Sequence, residues 1–188
     1  MTLEWVGSDG PCVLIPQDAS PAWGGIWVDG PGPRADATTL PDGRVVWEDV
    51  GQGGTSDYQR ACDALDDEPP GLVGRVGAAL VLDSTGLQVA WWPTARGGWV
   101  VIWEYAESEE EAEAALRGAA PGEAAPAGRW SLPEGGALLM PATELPGDED
   151  AEGIAVPLPA GTYEVFAGEL APDAFTMLRL VRLERVAG

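Results

Sequence analysis

Short apolar runs stopped by proline, glycine-rich turns between them and only two helix-sized amphipathic stretches predict a strand-dominated α+β protein. The expected architecture is two related small antiparallel sheets with one or two short helices in the first half. The 26 glycines and 17 prolines among 188 residues favour many turns and short strands over long helices. A chain of this length buries roughly 70% of its unfolded surface, enough for a substantial core.

The first elements come from an internal repeat. Trp5-Val-Gly-Ser-Asp-Gly-Pro-Cys-Val-Leu-Ile-Pro16 aligns without a gap on Trp130-Ser-Leu-Pro-Glu-Gly-Gly-Ala-Leu-Leu-Met-Pro141, matching the tryptophans, Gly10 with Gly135, Leu14 with Leu139 and Pro16 with Pro141. In each copy a glycine turn leads into an apolar run ended by a residue that cannot donate to a ladder, which predicts strands at 12–15 and 137–140. Downstream, Gly86-Leu-Gln-Val-Ala-Trp-Trp92 resembles Gly161-Thr-Tyr-Glu-Val-Phe-Ala167, so the two halves share a plan and the first carries an insertion. The expected organisation is an N-terminal half at 1–120, a linker at 121–128 read from Pro121-Gly-Glu-Ala-Ala-Pro126, and a smaller C-terminal half at 129–188. The halves fold as two sheets or as one compact unit.

Between these landmarks, Tyr58, Ala61, Cys62 and Leu65 fall at i, i+3, i+4 and i+7 and predict a helix from about Asp57 to Leu65. Ala78–Leu82, Leu87–Trp92 and Trp99–Tyr105 read as a three-stranded meander joined by turns at 83–86 and 96–98. Period 2 puts Trp99, Val101, Trp103 and Tyr105 on one face of the last strand and Val100 and Ile102 on the other. Ser108, with Glu111 three residues later, is the signature of a helix start, and Ala112, Ala115 and Leu116 form its apolar stripe up to Gly118.

Charge narrows the functional classes. Ten basic residues, all arginine, against 31 acidic ones leave a formal net charge of −21. Such a surface repels phosphate backbones and anionic lipid, so the reading is no nucleic acid, no membrane and a basic protein partner. The beginning, Met1-Thr-Leu-Glu-Trp-Val-Gly, has no basic or apolar leader, and no apolar run approaches the ~18 residues of a membrane span, which predicts a cytoplasmic protein. There Cys12 and Cys62 are expected as thiols.

Histidine is absent, removing the commonest general base and metal ligand, and no serine elbow, phosphate-binding loop or paired-cysteine motif occurs. No catalytic residue, metal or cofactor is therefore expected. The acidic runs, Asp63 with Asp66, Asp67 and Glu68, and Asp148 to Asp150 with Glu152, lack calcium-loop spacing and read as solvated loops or contact surface. Of the nine tryptophans, Trp5, Trp99, Trp103 and Trp130 are assigned to structure. Trp91 and Trp92 point to opposite faces of one strand, so one reaches solvent unless both faces are covered. Candidate partner-binding residues are Trp23, Trp27, Asp57, Asp63, Asp66, Asp67, Glu68, Trp91 and Trp92, because aromatic anchors on an acidic surface suit capture of a basic protein.

Trp5 followed by Gly10-Pro11 and an apolar strand, Trp23-Gly24-Gly25, Tyr58-Gln-Arg-Ala-Cys62 and Ala90-Trp91-Trp92-Pro93 together resemble the Immunity protein 21 family. The second half adds Gly161-Thr-Tyr-Glu-Val165 and Leu178-Arg-Leu-Val-Arg-Leu183; nothing matches at Arg34–Gly54 or Asp66–Pro70. The resemblance implies a protein that protects a bacterium by binding and blocking the toxin of a polymorphic toxin system. The motif positions Trp5, Gly10, Pro11, Gly24, Gly25, Tyr58 and Cys62 are read as structural. Two alternatives remain: a small carboxylate-dependent hydrolase with a Trp-lined cleft, which needs two carboxyls facing one pocket, and an adaptor protein with no toxin partner.

Overall fold

The computed structural model describes residues 2–26, 38–39, 45–46, 56–66, 73–118 and 123–186. In chain order the elements are β1 (Trp5–Gly7), β2 (Cys12–Pro16), a 3-10 turn (Ser20–Ala22), β3 (Thr38–Thr39), β4 (Val45–Val46), α1 (Asp57–Asp66), β5 (Val73–Val76), β6 (Ala79–Leu82), β7 (Gln88–Thr94) and β8 (Gly97–Tyr105). They continue with α2 (Glu109–Gly118), β9 (Ala124–Leu132), β10 (Ala137–Pro141), β11 (Ile154–Val156), β12 (Gly161–Leu170) and β13 (Met177–Arg185). A six-stranded antiparallel sheet runs β1-β7-β8-β13-β12-β9 and a five-stranded one runs β11-β10-β2-β6-β5. The short strands β3 and β4 pair with each other as a two-stranded sheet. The fold is thus the strand-dominated α+β class expected, with two antiparallel sheets and two short helices.

The sheets stack face to face over the main core. Val6, Val89, Trp91, Val100, Ile102, Trp130, Tyr163 and Val181 come from the six-stranded sheet, and Cys12, Leu14, Leu80, Leu82, Leu139 and Val156 from the other. Each sheet is also covered outside. On the six-stranded sheet Ala112 and Leu116 of α2 pack on Ala90, Val101, Leu178 and Leu180. On the five-stranded sheet Tyr58, Ala61, Ala64 and Leu65 of α1 pack with Val13, Ile15, Val81 and Met140. Four layers result, which is how a sheet apolar on both faces is buried. It also explains the all-buried patterns of β2 and β6.

Three expectations are corrected. Residues 124–128 are not linker: they begin β9, which pairs with β12. Pro126 is tolerated there because β9 is an edge strand, and the register shifts beside it between Val165 and Phe166. Nor do residues 78–105 form one meander, because β6 belongs to the five-stranded sheet while β7 and β8 form a hairpin in the other. Finally, each sheet takes strands from both halves. The repeat segments lie side by side as β2 and β10, with Leu14 opposite Leu139, Pro16 opposite Ala137 and Pro141 opposite Cys12. Trp5 and Trp130, aligned by sequence, point to opposite faces: Trp5 packs on the outer cluster beside Trp103, whereas Trp130 lies in the inter-sheet core against Tyr163.

The start of α2 follows its sequence signature with one change. Glu111 N–H donates to Ser108 Oγ at 3.3 Å, but the Glu111 carboxylate accepts from the amide of Glu107, one residue before the cap.

Candidate partner-binding surface

Trp23-Gly24-Gly25 and the beginning of α1 hold each other. Asp57 Oδ2 accepts from the amide of Gly24 at 2.7 Å while Oδ1 pairs with Arg60, and Tyr58 N–H donates to Gly25 O at 2.9 Å. Trp23 is only 5% exposed and its indole N–H donates to Ala142 O at 3.0 Å. Gly25 has φ +58°, and a Cβ there would lie 2.5 Å from Thr143 O. At Gly10 a Cβ would lie 2.7 Å from the Tyr58 ring, so the helix seats on a bare backbone. Pro11 is buried beside it, its carbonyl accepting from the amide of Ala142 at 2.9 Å. Burial foremost, then its hydrogen bond with Cys62 and the charges of Cys62 and Asp9, pushes the Tyr58 phenol above its ordinary value. Gly10, Pro11, Gly24, Gly25, Tyr58 and Cys62 thus converge in one packing assembly on the outer face of the five-stranded sheet, and Trp23 and Asp57 serve that assembly.

The remaining candidates separate. Trp91, 7% exposed, is in the inter-sheet core, while Trp92 is half-buried on the outer face of the six-stranded sheet. Register sets Trp92 opposite Trp99, Trp99 opposite Arg182 and Arg182 opposite Phe166, with the Arg182 guanidinium 4.6 Å from the Phe166 ring centre. Asp63 is exposed on α1 and accepts from Gln59 at 2.8 Å. Trp27, Asp67, Glu68 and the Asp66 side chain lie outside the described residues.

The described carboxylates that are buried are Asp57 and Glu113. Glu113 accepts from the Leu3 amide at 2.7 Å and pairs with Arg117 at 3.0 Å. The Leu3 hydrogen bond is the main reason its pKa is lowered, against the opposing effect of burial and with help from Arg117 and the N-terminal charge. Glu144, by contrast, is raised, by burial first and then by Glu152 and Asp148. Arg179 forms ion pairs with Glu104 at 2.7 Å and Asp83 at 3.4 Å, tying the β6–β7 turn to β8. Among the described residues no group of three or more histidine, cysteine, aspartate or glutamate side chains could hold a metal ion. No described helix is long and apolar enough to cross a membrane.

Sequence reasoning missed the most exposed large apolar side chain among the described residues. Phe175 is 75% exposed in the β12–β13 turn, where Asp173 Oδ1 accepts from its amide at 2.8 Å, and Tyr105, at the end of β8, is 45% exposed. The available signal was Asp173 two residues before an aromatic, the pattern of an aspartate turn that presents the following side chain.

In this four-layer α+β sandwich the buried carboxylates brace the protein's own backbone, and the exposed aromatics among the described residues are Tyr105 and Phe175. The family model for Immunity protein 21 matches residues 4–176 of the 188, and the chain belongs to that family. None of the curated proteins and none of the solved structures matches it significantly. By family it is an immunity protein, with a cognate toxin as its kind of partner.

Proposed function

We propose that this protein neutralises a toxin of a polymorphic toxin system by binding it in the cytoplasm, docking an acidic surface on a basic toxin. Family membership is the observation that carries this reading. The net charge of −21 supports the basic partner, since opposite charge accelerates docking and buried aromatics slow release. The hydrolase reading loses ground because Asp57 and Glu113 sit on helices covering opposite outer faces, each engaged by a backbone amide and an arginine.

The test is to co-express this chain with the polypeptide encoded immediately upstream of its reading frame. Survival of cells otherwise killed by that polypeptide, with a 1:1 complex on purification, is the expected result. A harmless neighbour, or killing that this chain does not relieve, would refute the proposal.

A further inference from the structure

Phe175 and Tyr105 gain little from the fold, yet both are held at one end of the six-stranded sheet. Met177 lies directly opposite Tyr105 in the β13–β8 register, and Phe175 precedes Met177 by two residues on a turn pinned by Asp173. The two side chains are the most exposed of the described aromatics. A ring three-quarters in water contributes little to stability, and aromatic side chains are enriched where proteins meet.

The surroundings specify the partner. Immediately after Tyr105 come Glu107 and the exposed carboxylates of the first turn of α2, Glu109, Glu110 and Glu111, while Asp173 flanks Phe175 on the other side. Carboxylates in the first helical turn favour the helix dipole, which accounts for α2 alone. It does not account for the aromatic pair beside them. An apolar centre with a charged rim is the anatomy of a protein interface, and a rim of one sign calls for its opposite. A second copy of this chain would bring the same acidic rim, at −21 each, against itself.

We propose that the basic toxin docks on this end of the sheet, with Phe175 and Tyr105 as its apolar anchors and the Glu107–Glu111 segment as its charged rim. This rests on the immunity reading and says where that binding takes place.

The experiment measures binding of the full chain to the purified upstream-encoded toxin by surface interferometry, at low and physiological salt. Because Phe175 is exposed, Phe175→Ala should melt with the wild type yet bind at least ~30-fold more weakly, the loss typical of a hot-spot aromatic. Glu109→Gln with Glu110→Gln and Glu111→Gln should slow association about 10-fold at low salt and flatten its salt dependence. Wild type that binds while both variants bind equally well would overturn this surface and leave the immunity reading standing. Wild type that neither binds nor protects would overturn both. Self-association that Phe175→Ala abolishes would assign the surface to a second copy.

Discussion

Trp91→Ala should unfold this protein far more readily than Trp92→Ala, although the two side chains are neighbours in sequence. Trp91 sits 7% exposed between the sheets, and a tryptophan buries about 150–250 Å². At ~25 cal/mol per Å² that area corresponds to about 4–6 kcal/mol, an upper value because unfolded chains are themselves partly collapsed. Large aromatic truncations in cores cost about 3–5 kcal/mol, so ~4 kcal/mol is expected. For a chain of this size each kcal/mol moves Tm by roughly 2–4 °C, giving a fall of about 8–16 °C. Trp92, half-buried on the outer face, should lose about 1–2 kcal/mol in proportion to its smaller buried area.

Gly98 supplies an internal control. A Cβ at Gly98 would lie 2.5 Å from Trp91 Cη2 and 2.7 Å from Trp92 O, so Gly98→Ala should cost about 1–3 kcal/mol by overpacking. In a Trp91→Ala background the ring is gone and only the carbonyl contact remains, so the penalty should shrink. Urea denaturation of the four proteins, followed by far-UV circular dichroism, closes the cycle. A Trp91→Ala cost below ~1 kcal/mol with toxin protection abolished would refute the core assignment and return Trp91 to the binding surface.

Three further outcomes are expected. Glu113 has a depressed pKa, so its contribution is present above the ordinary glutamate value of about 4.3 and lost as pH falls through the folded value; Glu113→Gln should be less stable than wild type at pH 7, with the gap closing in acid urea titrations. Ser84 is fully buried and its Oγ accepts from the Cys12 amide at 2.9 Å; Ser84→Ala leaves that N–H without its acceptor and should cost about 1–3 kcal/mol in urea midpoint measurements. Among the described residues neither cysteine is in a disulfide, and burial pushes Cys12 above its ordinary pKa; iodoacetamide on the native protein should modify the half-buried Cys62 well before Cys12, as peptide mass spectrometry would read, and equal rates would contradict the burial of Cys12.

What the sequence made legible was local. The glycine turn, apolar run and proline located β2 and β10, and Ser108 with its stripe of Ala112, Ala115 and Leu116 located α2. Alternation along β8 assigned its two faces correctly, Val100 and Ile102 inward and Trp99, Val101 and Trp103 outward. Partnering across the molecule was not legible, because hydrogen bonding between strands leaves no local trace. Nothing within Ala79–Leu82 says that it joins the sheet of β2 and not that of β7. Pro126 looked like a linker residue because the tolerance of an edge strand for proline depends on what lies beside it. The same blindness explains the binding candidates. Trp23 and Asp57 carry the chemistry of an interface, but Ala142 and Gly24 had already claimed them.

The strand order of the six-stranded sheet reads outward from its middle as β8 and β13, then β7 and β12, then β1 and β9. The latest of these strands in sequence, β13, therefore occupies a central seat. Until Met177–Arg185 emerges, β8 and β12 face each other across a gap with their backbone donors and acceptors unmet, and the inter-sheet core lacks Val181 and Leu183. There is thus no finished six-stranded sheet without β13: closure waits on Met177–Arg185. A released chain truncated before residue 177 should be cut freely by proteases, and one that extends past residue 185 should resist them.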